Sequence, residues 1–104
     1  MQRYPVRVDH RPNLTVEPLA ELCRTHFGVA EVDGDSVRTH FGAIADLKVR
    51  GFQKQLEVDI TMNPKVESEL AGETIRHYNQ FLEAATGYSS KERARRLKKA
   101  AGPE

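Results

Sequence analysis

Between Gln55 and Met62 apolar and polar residues alternate without a break: Leu56, Val58, Ile60 and Met62 against Gln55, Glu57, Asp59 and Thr61. Successive side chains of a strand point to opposite faces, so this octet predicts a strand with one dry and one wet face. Such strands belong to antiparallel sheets that pack on one side and meet water on the other. The rest of the chain must supply the layer that covers the dry face.

Two segments have the spacing for it. Val16, Leu19, Leu22, Cys23 and Phe27 recur at helical intervals, with Thr15 or Glu17 as the cap, Pro18 in the first turn and Gly28 as the stop. Leu70, Ile75, Tyr78, Phe81, Leu82 and Ala85 form the apolar face of a longer helix that Gly87 closes. Its start lies either before Gly72 or at it. Glu67, Glu69 and Glu73 sit near the positive end of its dipole.

The remaining strands are shorter. Tyr4, Val6 and Val8 alternate with Arg3, Pro5 and Arg7, and Pro5 lacks an amide for a ladder, which predicts an edge strand. His10-Arg11-Pro12-Asn13 reads as loop. Val29 to Asp33 and Ser36 to Phe41 flank a Gly34-Asp35 hairpin turn. Ile44, Leu47 and Val49 follow as a third strand of the meander, closed by Gly51, and Asn63-Pro64 stops the fourth. The order β-α-β-β-β-β-α predicts a two-layer α+β domain, mainly antiparallel, with the helices on one face of the sheet.

Length and composition agree. A chain of 104 residues holds one core, and 38% hydrophobic against 30% charged residues folds, but around a thin one. No stretch approaches the roughly 18 apolar residues of a membrane span, and no apolar signal run follows Met1, so a cytoplasmic chain without membrane contact is expected. The lone Cys23 suits a reducing compartment.

The net charge of +1 conceals a division. Lys91, Arg93, Arg95, Arg96, Lys98 and Lys99 face a single acid, Glu92, within nine residues, while the rest of the chain carries 10 basic and 14 acidic residues. Ser89-Ser90-Lys91-Glu92 reads as a capping box that opens a last helix, with Glu92 also spaced to pair with Arg96. Only Ala94, Leu97 and Ala101 give this helix an apolar stripe. Residues 1–88 are therefore expected to form the domain and 89–104 a basic helix and tail.

Glu73-Thr74-Ile75-Arg76-His77-Tyr78-Asn79-Gln80-Phe81-Leu82-Glu83 and Thr86-Gly87-Tyr88-Ser89-Ser90-Lys91-Glu92-Arg93 resemble a family of small archaeal domains of unknown function. The resemblance implies a fold similar to one half of the TATA-box-binding protein, whose repeat has the same β-α-β4-α order. It implies no catalytic or ligand residues.

Catalytic and metal chemistry find little purchase. Cys23 and His26 are three apart on a helix, but Cys23 falls on the apolar stripe; His10, His40 and His77 gather no ligand set, with His77 expected at the surface. Asp33-Gly34-Asp35 is a turn, too short for a calcium loop. Neither an enzyme nor a cofactor is expected. Duplex binding over the open sheet face is disfavoured, because the expected outward set, including Arg3, Arg38, Lys48, Arg50, Glu57 and Asp59, mixes both signs and lacks an apolar wedge. An apolar ligand between sheet and long helix would be lined by Tyr78, Phe81, Met62 and Phe41. The preferred reading is a non-catalytic binding or adaptor domain that offers Lys91, Arg93, Arg95, Arg96, Lys98 and Lys99 to an acidic protein surface or a nucleic acid.

Overall fold

The alternating octet becomes β5 (Gln55–Met62) of a five-stranded antiparallel sheet in the computed structural model, which describes residues 2–100 and their side chains as far as Arg96. The other strands are β1 (Gln2–Pro5), β2 (Glu31–Asp33), β3 (Ser36–Phe41) and β4 (Ile44–Phe52), in the spatial order β1-β5-β4-β3-β2. Pro5 thus lies on an edge strand, as its missing amide requires. The helices α1 (Val16–Phe27) and α2 (Ser68–Thr86) cover the dry face, and α3 (Ser90–Ala100) follows. The expected two-layer α+β architecture is the one observed.

The core joins the layers. Leu56 and Val58 of β5, Leu47 and Val49 of β4 and Val37 of β3 meet Leu19 and Cys23 of α1 and Phe81, Leu82 and Ala85 of α2, all fully buried or nearly so. Phe81 stacks on Phe27 with ring centroids 5.2 Å apart. Burial pushes the Cys23 thiol up to about 12, so it behaves as a small hydrophobe.

Several local expectations change: the first strand stops at Pro5, and Val8 leaves it to open a 3-10 helix with its side chain 72% exposed. His10–Asn13 lies within this helix, Val8–Leu14, and the second strand begins at Glu31 rather than Val29. The long helix starts at Ser68, and its buried face runs through Thr74, Phe81, Leu82 and Ala85; Leu70 and Ile75 are exposed. Thr74 wins because it meets the β3–β4 turn, whereas Ile75 lies one residue further round the helix. Met62, at the end of β5, is 41% exposed and leaves the core.

Gly51 does not close β4, which continues to Phe52. The 3-10 helix crosses the strand at this point, and a Cβ on Gly51 would run into the backbone carbonyl oxygen of Leu14. The strand ends instead in a two-residue hairpin, Gln53 and Lys54, whose φ angles of 52° and 65° are uncommon for residues with a Cβ.

Candidate functional site

The tail helix begins as its sequence predicts. Glu92 accepts the Ser89 amide at 3.2 Å and returns its own amide to the Ser89 hydroxyl at 3.3 Å. The Ser89 amide, and then its hydroxyl at 3.3 Å, donate to the Glu92 carboxylate and hold its pKa below the usual range. The anticipated Glu92–Arg96 pair gives way to this box, and the Arg96 guanidinium lies over the Tyr88 ring, 4.4 Å from its centroid.

The six basic residues part company. Lys91, Arg95 and Arg96 are exposed. Arg93 is 3% exposed and drops out of the expected contact set. Its Nη1 donates to the Tyr88 carbonyl at 2.6 Å, and its Nη2 to Asn79 Oδ1 and Ser90 Oγ, both at 3.2 Å. The helix turns Arg93 towards α2 and β1, against which α3 packs, and the guanidinium takes the place of the apolar anchor the segment lacks. Burial lowers its pKa, and no carboxylate pairs with it among the described residues. The Lys98 and Lys99 side chains lie outside the described residues.

The hydroxyl of Tyr78, near Arg93, is buried without a hydrogen-bond partner among the described residues, and burial raises its pKa. The side chains expected to line an apolar cavity take different places, although Phe41 and Phe81 both pack against Phe27. Phe81 is packed in the core, Phe41 stacks on His77 at 4.6 Å and Met62 is exposed. His77 is half-buried rather than superficial, because its Nδ1 donates to the His26 carbonyl at 3.1 Å across the α1–α2 contact. Among the described residues no group of three His, Cys, Asp or Glu side chains could hold a metal ion, and no helix is long and apolar enough to cross a membrane.

The uncovered face of the sheet differs from its expected solvated mixture in two respects. Glu57 is 2% exposed, clamped between cross-strand partners: Arg3 Nε donates to Oε2 at 2.8 Å and Arg50 Nε to Oε1 at 2.6 Å. The bond from Arg50, then that from Arg3, lowers the Glu57 pKa against the opposing effect of burial. Phe52, the residue after Gly51, is 38% exposed beside these arginines, so this face does carry a phenylalanine. Placing the strand end at Gly51 concealed it. Continued alternation through Lys48, Arg50 and Phe52 is the sequence signal that would have found it.

These features define a class: two-layer α+β domains with an uncovered charged sheet face and a docked basic helix. More particularly, the chain belongs to the family described as "Domain of unknown function (DUF5611)", whose model matches residues 1–99. No curated protein matches it. Among solved structures it is similar to the NMR solution structure of hypothetical protein TA0095 from Thermoplasma acidophilum, at 24% identity and a TM-score of 0.62, over 93% of this chain and 97% of that one. This likeness extends to the fold.

Proposed function

We propose that this is a non-catalytic binding domain that engages an acidic partner through α3. The observation that carries the reading is the burial of Arg93. A short, very polar helix is marginal alone in water, but the Arg93 guanidinium bonds Asn79 of α2 and also ties down the Tyr88 carbonyl of the link and Ser90 of the first turn, so it fastens this one to the body. Lys91, Arg95 and Arg96 are then presented from a fixed base rather than from a floppy tail. Arg7 and His10 adjoin Gly87 just before α3, and Asp9 pairs with both, so the added basic surface lies on α3 itself.

Nucleic acid and an acidic protein surface both fit such a charge pattern. The order β-α-β4-α also occurs in half of the TATA-box-binding protein, but a sheet face bearing Asp46, Asp59 and a clamped Glu57 argues against binding duplex there. Anisotropy of labelled RNA, DNA and polyglutamate, titrated with protein at low and moderate salt, tests the reading. Binding should weaken steeply with salt. Arg95→Glu with Arg96→Glu should abolish it while the melting temperature stays; undiminished binding by that variant moves the contact away from α3.

A further inference from the structure

Neither the core nor α3 uses the group at the β4–β5 end of the uncovered sheet face. Here the exposed Phe52 ring has the Arg50 guanidinium 5.0 Å and the Arg3 guanidinium 6.0 Å from its centroid. Glu57 stands between the arginines in register on β5 and takes the Nε of each. Among the described residues Arg3 makes no other side-chain hydrogen bond, and Arg50 adds only a long Nη1 contact to Asp35 at 3.4 Å. The buried carboxylate is therefore a brace. It fixes both guanidinium planes and, with Asp35 on Nη1 of Arg50, leaves the Nη edge of Arg3 and the Nη2 of Arg50 to meet an anion.

We propose that Phe52, Arg3 and Arg50 form a binding site for one nucleotide of a single-stranded nucleic acid. The base stacks on the exposed part of the Phe52 ring, and its phosphate meets the free Nη edges. An aromatic ring flanked by guanidinium groups on a sheet offers both elements that single-strand recognition needs, a stacking platform and cations beside it. The surroundings select against duplex, whose bases are stacked on one another and whose second strand would meet acidic side chains. A shallow hollow of about 320 Å³ adjoins Arg50 and is lined in part by Asp35 and Asp59, which keep the phosphate on the Arg3 side. The Gln53-Lys54 turn holds Phe52 opposite Gln55 and places Lys54 in solvent at the same tip. This site stands apart from the α3 contact proposed above, although α3 packs against β1, which carries Arg3.

The test uses the full chain, a short fluorescein-labelled oligothymidylate, the matching oligouridylate and free uridine monophosphate, all at low salt. Both oligonucleotides should bind, the free nucleotide more weakly, and each should shift the Phe52 ring protons in NMR spectra. Phe52→Ala should weaken oligonucleotide binding about ten-fold, the loss of one base–aromatic stack, and Phe52→Tyr should restore it. Arg3→Lys should bind more weakly than the wild type, since lysine keeps the charge but not the fork. Circular dichroism confirms that each variant is folded. Phe52→Ala binding like the wild type would overturn the site, as would absence of binding by the intact chain. Loss of binding in Arg95→Glu/Arg96→Glu with still Phe52 protons would overturn it in favour of α3. Polyglutamate producing the same Phe52 shifts would make this a carboxylate site and overturn the nucleotide assignment.

Discussion

The Thr74 hydroxyl joins the long helix to the β3–β4 turn: it accepts the Ala43 amide at 3.0 Å and donates to the Leu70 carbonyl at 2.7 Å. One side chain thereby satisfies a buried backbone amide 31 positions away and back-bonds within its own helix. Both ends of this bridge are buried. Thr74→Val keeps the shape and removes the acceptor, leaving the Ala43 amide unpaired, and should cost about 1–3 kcal/mol in chemical denaturation. Thr74→Ser should recover most of that. Equal stability of the valine variant and the wild type would mean that the bridge contributes nothing.

Gly51 supports a second expectation. Its missing side chain admits the Leu14 backbone to β4, and backbone held in a 3-10 helix has little room to retreat. Gly51→Ala should lower stability by about 1–3 kcal/mol, the usual cost of overpacking. Gly72→Ala provides the control, since nothing lies within 4 Å of its Cβ position and a helix favours alanine. If the two variants have the same denaturation midpoint, the close approach at Leu14 is not limiting.

Acid should act on the sheet through Glu57. Its folded pKa lies below the ordinary value of 4.5, mainly through Arg50 and then Arg3. A carboxyl whose pKa falls on folding adds stability above its unfolded value, and loses that contribution as pH drops through the folded value. Stability measured from neutral pH downwards should therefore decline below about 4.5, and Glu57→Gln should flatten this part of the profile. An unaltered acid limb in the glutamine variant would assign the decline to other carboxylates.

Arg93 sets the fate of the last helix. Arg93→Ala removes the side-chain bond to Asn79 of α2, worth about 1.5–3 kcal/mol where fully formed, together with the bonds to Tyr88 and Ser90 that shape the link and first turn, so α3 should separate from the body. Limited trypsin digestion should then cut faster at Lys91, Arg95 and Arg96, while α1, α2 and the sheet remain protected. Arg93→Lys should not restore protection, because an ammonium cannot span Tyr88, Asn79 and Ser90 in one plane. Digestion at the wild-type rate in both variants would show that α3 is held by other contacts.

Much of the fold is legible in local signals. The alternation from Gln55 to Met62, the glycines after Phe27 and Thr86, the Gly34-Asp35 turn and the Ser89–Glu92 box are each contained within a few residues, and each appears where its spacing predicts. Together they determine the element order and hence the two-layer class. Tertiary contact decided what spacing leaves open. Ile75 has the better hydropathy, but the turn at Ala43 selects Thr74; Gly51 resembles a strand stop until Leu14 is seen against it; and Arg93 and Arg95 are alike in sequence until Tyr88 and Asn79 bury the first. Glu57 looks solvated on a polar strand face, yet Arg3, 54 positions away, and Arg50 close over it. Periodicity records which face of an element is dry, whereas the partner that meets a given side chain belongs to another element, and only the folded chain brings the two together.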